Sequence, residues 1–242
     1  MEIWQSIKQV VNRLIGKGTI ENTLKIKLGV TSEMMDAIEL WDSMYRDAPP
    51  WADSVVRTLG LPAAIAAEVA RLTTIEMKSE VTGSTRADFL NEQYQRVIKR
   101  LRRYVEYGCA KGGLILKPYI EGKSIAVDFV QADRFYPVAF DSKGNITDAV
   151  FVERKTEGNA YYTRLEHHRF TGADCVVTNR AFRSTNKSYL GTEIALSDVD
   201  QWAELLPEAK MTGTKQPLYG YFKPPMANNI DPQSPLGVSV YA

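Results

Sequence analysis

Near Gly112 and Gly113 the spacing of apolar residues changes from the roughly 3.6-residue period of a helix to the two-residue period of a strand. Before that point, Leu90, Tyr94, Val97, Leu101, Tyr104 and Gly108 recur at four- and three-residue steps, which predicts a helix from about residue 86 to 107. After it come the short β-branched and aromatic runs GLILKPYI, SIAVDFV, DAVFVER, AYYTRLEHHRF and CVVTNRAF. Connections as short as EGK (121–123), DSKGN (141–145) and FTGAD (170–174) suit hairpins, and parallel pairs need long crossovers. The expected class is therefore α+β, with N-terminal helices followed by an antiparallel sheet.

Three further helices are predicted in the first half. Ile3, Trp4, Ile7, Val10, Val11, Leu14 and Ile15 form one stripe, with Gly16 and Gly18 ending it. TSEMMDAIELWDSMY follows, with Thr31 or Ser32 as cap, Met34, Ile38, Trp41 and Tyr45 on one face, and Pro49 and Pro50 as breakers. In LPAAIAAEVARLTTIE, Ile65, Val69 and Leu72 mark the apolar face, and the alanines between them permit close approach of another element. Beyond the sheet, Ser197 is expected to cap a short helix carrying Val199, Trp202 and Leu205. The expected organisation is one α+β unit over residues 1–242. Within it, residues 1–112 are helical and residues 113–185 form the sheet, while 186–233 supply a connecting helix and extended segment and 234–242 begin a further helix.

That helix start is odd. Ser234 is a good N-cap and Pro235 suits the first helical position, yet only eight residues follow Ser234. A helix that short is marginal in water. The expectation is that the chain has been cut there, so that Val238, Val240 and Tyr241 either fold back onto the body or fray, and self-assembly is lost.

Chemistry leaves little trace. The chain has 30 basic and 29 acidic residues, split as +3 over 1–120 and −2 over the rest, too even to mark a nucleic-acid or membrane binder. Cys109 and Cys175 are the two cysteines, so a disulfide framework is not indicated; two reduced thiols in an intracellular chain are expected. No apolar run reaches the roughly 18 residues of a membrane span, and polar residues interrupt the first helix too often for a signal peptide. The sequons at Asn145 and Asn186 carry no meaning without secretion.

GKS at 122–124 lacks the earlier glycine of a phosphate loop, since Lys117 stands in its place; it reads as a hairpin. GCAKGG at 108–113 follows a helix and is a helix stop. His167 and His168 are adjacent on a strand and point to opposite faces, so they cannot share one metal, and one of them with Cys175 falls short of a metal site. Glu166 beside His167 fails for the same reason. Asp128 and Asp133 flank a strand without convergent partners. Arg96, Arg100 and Arg103 share one side of a helix, but Glu92 and Glu106 are spaced to pair with Arg96 and Arg102, which predicts a solvated or inter-subunit face rather than a specific DNA site. No catalytic, cofactor-binding or metal residues, and no cofactor, are assigned.

Four blocks carry a resemblance: IELWDSMY with the trailing PPW (38–51), AAIAAEVARLTTIE (63–76), YYTRLEHHRF (161–170) and YGYFKPPMANNIDPQSPLGVSVYA (219–242). Their order and spacing resemble portal proteins of tailed bacteriophages, particularly those of phages and prophages of Gram-positive bacteria. The resemblance covers nearly the whole chain, and its most specific element is NNID–SPLG–S, which in these portals marks the exit from the wing domain into the first stem helix. It implies a structural, non-enzymatic protein: the N-terminal wing of a subunit whose full-length form builds a dodecameric ring at a capsid vertex. Implied partners are other portal subunits, terminase, capsid or scaffold and head–tail adaptor proteins, with double-stranded DNA passing through the channel and no membrane. The implied location is the virion, and the host cytoplasm during assembly. Stem, clip and crown are absent from this pattern, which puts DNA conduction and terminase docking by this polypeptide alone in doubt. The alternatives are a stand-alone phage-derived binding module and a nucleic-acid-processing enzyme.

Overall fold

A computed structural model describes residues 15–53 and 55–242. The stripe from Ile3 to Leu14 lies outside the described residues. Among those described, four α-helices come first: α1 (Lys17–Leu24), α2 (Ser32–Tyr45), α3 (Leu61–Thr74) and α4 (Ala87–Lys111). Nine strands follow: β1 (Leu114–Glu121), β2 (Ser124–Gln131), β3 (Phe135–Phe140), β4 (Ile146–Glu157), β5 (Ala160–Phe170), β6 (Asp174–Ser184), β7 (Thr192–Ile194), β8 (Glu208–Thr212) and β9 (Gly220–Phe222). These strands all pair antiparallel. The fold is α+β, helices first and sheet second, as the change of period requires. No helix among the described residues is long and apolar enough to cross a membrane.

The strands do not form one sheet. They form a three-stranded sheet in the order β2-β1-β9 and a six-stranded one in the order β3-β4-β5-β6-β7, with β8 also on β6. The chain accordingly divides into two compact units, each built from two stretches of sequence. Of the described residues, the first holds 15–36 and 133–218, the second the remainder up to 132 together with 219–242.

In the first unit, Phe135, Val150, Phe151, Leu165 and Cys175 of the sheet are buried, as are Ile15, Ile20, Leu28 and Met34. Gly29 donates its N–H to Pro137 O at 2.7 Å. Thr31 caps α2, its hydroxyl accepting the Met34 N–H at 3.2 Å. Gly16 precedes α1 and Gly18 lies inside it. Strand β3, FYPVAF, lies within the expected sheet region but is not among the runs read individually, and it carries Pro137. It is an edge strand whose register slips between Pro137 and Ala139, a position that tolerates proline. In place of a helix capped by Ser197 there are two 3-10 turns, Leu196–Asp198 and Asp200–Trp202. They are held because Leu196, Val199 and Trp202 are buried with Ala181.

In the second unit, Ile38 and Trp41 of α2 are buried. Helix α3 packs on α4 through Ala66, Ala70, Val105, Cys109 and Ala110. The buried face of α3 is thus its alanine face, as expected from the alanines' small size, while Ile65 (41% exposed) and Leu72 (59%) of the apolar stripe point outward. Close helix approach selects the small side chains. The last segment is the clearest departure: residues 235–242 form no helix. They run non-helically with Leu236, Val238 and Ser239 buried.

Candidate interaction surface

The C-terminal segment is held by specific contacts. Val240 N–H donates to Cys109 O at 3.0 Å, Gly237 N–H to the Tyr221 hydroxyl at 3.0 Å, and the Tyr241 hydroxyl to Trp41 O at 2.8 Å. Gly112 closes α4 at φ +80, and a Cβ there would lie 2.7 Å from Gly237 O. Helix stop and C-terminal segment therefore need one another's missing side chains. GCAKGG is a packing device as well as a stop.

Helix α4 is fixed on its inner sides and open on its outer one. Tyr104 stacks on Phe129 at 3.9 Å with the rings 5° apart, and the Ile125 N–H donates to Gln93 Oε1 at 3.2 Å. Outward lie Arg96, Lys99, Arg100, Arg102 and Arg103, all exposed. Arg96 pairs with Glu92, as the spacing predicts. Arg102 does not pair with Glu106; Glu106 accepts the Tyr45 hydroxyl at 2.7 Å instead, and burial together with this bond raises the phenol above its ordinary range. Arg103 reaches the Tyr107 hydroxyl at 3.2 Å. Glu68 is held below the usual carboxylate range first by the Arg71 guanidinium and further by Arg102, so the basic side of α4 adjoins α3.

The histidines stand where strand alternation puts them, on opposite faces. His167 Nε2 meets Asp148 Oδ1 at 2.6 Å. His168 Nε2 meets Glu166 Oε1 at 2.5 Å, a same-face i,i+2 pair not among the sequence expectations. Glu166 belongs to a chain of side chains across β4, β5 and β6. Arg164 Nη1 contacts Glu166 Oε2 at 2.8 Å and Asn179 Oδ1 at 2.7 Å, and its Nη2 contacts Glu153 Oε2 at 2.7 Å. Asn179 Nδ2 donates to Leu206 O at 2.9 Å and Gln201 Nε2 to Glu153 Oε1 at 2.9 Å. The register Glu153↔Arg164 and Glu166↔Asn179 places these groups on one face. Alternation within β5 was the available signal; pairing across three strands was not.

The other candidates do not converge. Gly122 is in the β1–β2 turn, and Asp128 lies on β2, 3.7 Å from Lys117. Asp133 lies in the 3-10 turn Ala132–Arg134, in the other unit. Cys109 and Cys175 are both free thiols and both buried; burial pushes the Cys109 thiol up to about 11 and raises that of Cys175. Among the described residues no group of three His, Cys, Asp or Glu side chains is placed to hold a metal. What the arrangement offers is surface: a helix with a basic outer face, and a partly buried polar chain that anchors the loop after β7. No protein-family model matches the chain, and no curated protein matches it.

Proposed function

We propose that this chain is the wing of a portal subunit of a tailed bacteriophage, a structural head–tail connector component. In the assembled particle it would sit at the capsid vertex beside other portal subunits, terminase, capsid and adaptor proteins, with DNA passing through the ring. The reading rests on the order of the resembling blocks, and one observation supports it beyond sequence. Three of the four blocks, up to 200 residues apart, meet in one core. Tyr45 from the first, Ala66 and Ala70 from the second, and Val240 and Tyr241 from the last pack together. Blocks that merely happened to look alike would not be required to share a core. An ordinary wing role needs interfaces, which paired charges and outward apolar residues supply.

Fusing the stem, clip and crown of a tailed-phage portal to residue 242 tests this. Closed rings in negative-stain electron micrographs are expected. A soluble, folded fusion that stays monomeric would overturn the reading.

A further inference from the structure

We propose that the basic outer face of α4 docks on the acidic segment 193–208 of a second copy of this chain, a head-to-tail contact. It rests on the portal reading, and names the surfaces by which neighbouring wings would meet.

The two segments carry charge of opposite sign. Residues 96–103, RVIKRLRR, contain five basic residues and no acidic one. Residues 193–208, EIALSDVDQWAELLPE, contain five acidic residues and no basic one. In a chain with 30 basic and 29 acidic residues, both are departures from an even mixture. Arg96, Lys99, Arg100, Arg102 and Arg103 are exposed, and so are Glu193, Asp198, Asp200, Glu204 and Glu208. Some of each set is used locally. Arg96 holds Glu92, Glu193 holds Arg180 at 2.5 Å, and Asp198 accepts the Ala195 N–H at 3.2 Å. Lys99 and Arg100 on one surface, and Asp200, Glu204 and Glu208 on the other, remain exposed beside them.

Both surfaces are anchored by buried contacts, which lowers the entropy cost of docking. The helix is clamped by the Tyr104–Phe129 stack and by Val105 and Cys109 against α3. The acidic segment is nailed down by Trp202, 1% exposed, and by Asn179 on Leu206 O. Leu206 stands 62% exposed among the carboxylates, an apolar group that a partner would cover. Because the two surfaces are different patches of one molecule, the contact is heterologous and propagates to a ring or an open chain. Duplex DNA is the competing occupant of a basic helix face, but it would leave the acidic segment without a role.

The test uses the 242-residue chain in light scattering and sedimentation at about 0.1 mM, a range suited to weak contacts. Association that weakens about tenfold or more between about 0.05 M and 0.5 M salt is expected. Arg100→Glu with Arg103→Glu should give a monomer, as should Asp200→Lys with Glu204→Lys. Mixing the two variants should restore association, since the reversed helix of one faces the reversed segment of the other. Monomer at every salt concentration, association unchanged by either pair of reversals, or failure of the mixture to associate overturns the proposal. So does sub-micromolar duplex binding at physiological salt that Arg100→Glu removes. These outcomes are independent of the fusion experiment: rings from the fused chain that survive both reversals reject this contact and leave the portal reading standing.

Discussion

Replacing Gly237 by alanine asks how tightly the C-terminal segment is sewn to the end of α4. The added Cβ would collide with Gly112 O and lie 2.6 Å from the Lys223 Cβ. Ordinary contact begins near 3.4 Å, so the backbones must part by about 1 Å, and a close-packed interior resists that. Overpacking of this kind costs about 1–3 kcal/mol. The alternative relaxation is release of the segment, which exposes Leu236 and Val238 at about 1.5–3 kcal/mol each and caps the loss near about 6 kcal/mol. A loss of about 1–3 kcal/mol is therefore expected in urea denaturation, with faster hydrogen exchange at the Val240 amide that bonds Cys109 O. Gly112→Ala should cost at least as much, because φ of +80 adds about 1 kcal/mol for any residue with a Cβ. A Gly237→Ala protein within about 0.5 kcal/mol of wild type, with Val240 equally protected, would refute the close-approach argument.

Arg164→Met should lower stability by about 3 kcal/mol or more in thermal denaturation, since it strips the cation from the buried Glu166 carboxylate and from the partly buried Glu153; a loss under about 1 kcal/mol contradicts the network. Arg164→Lys should not rescue it, because one ammonium cannot replace the forked contacts to Glu153, Glu166 and Asn179. Cys109 and Cys175 should resist an aromatic disulfide reagent in the native protein at about pH 8 and react once urea is added; stoichiometric labelling of the native chain within seconds would show that burial does not protect them. Arg180 holds the Glu193 carboxyl below its ordinary range. A depressed folded-state pKa stabilises above the unfolded value and is lost as pH falls through the folded one, so the melting-temperature gap between wild type and Glu193→Gln should be present at about pH 7 and shrink towards about pH 3. A gap that grows in acid would reverse the sign of that reasoning.

Local rules determined much of this protein. Period and turn residues identify the helices, the antiparallel strands and their hairpins, and Thr31 and the Glu92–Arg96 pair follow from spacing within one turn or two. The basic and acidic runs are legible too, because charge is a property of composition. Tertiary structure decided the rest. Ala66 and Ala70 are buried, with Ile65 and Leu72 left outside, because two helices approaching closely reward small side chains more than apolar ones. Glu106 turned to Tyr45 rather than Arg102 because a partner 61 residues away came within 2.7 Å. The strands divide where the chain passes from one unit to the other, at Ala132 and again after Leu218, and no periodicity marks which strands will pair. The helix signal at Ser234 and Pro235 lost because a one- or two-turn helix cannot offset its nucleation, whereas a non-helical segment buries Leu236 and Val238 and bonds to Cys109 and Trp41 at once. Sequence sets what each segment prefers in isolation, and the contacts of distant segments choose between preferences that differ by only a few kcal/mol.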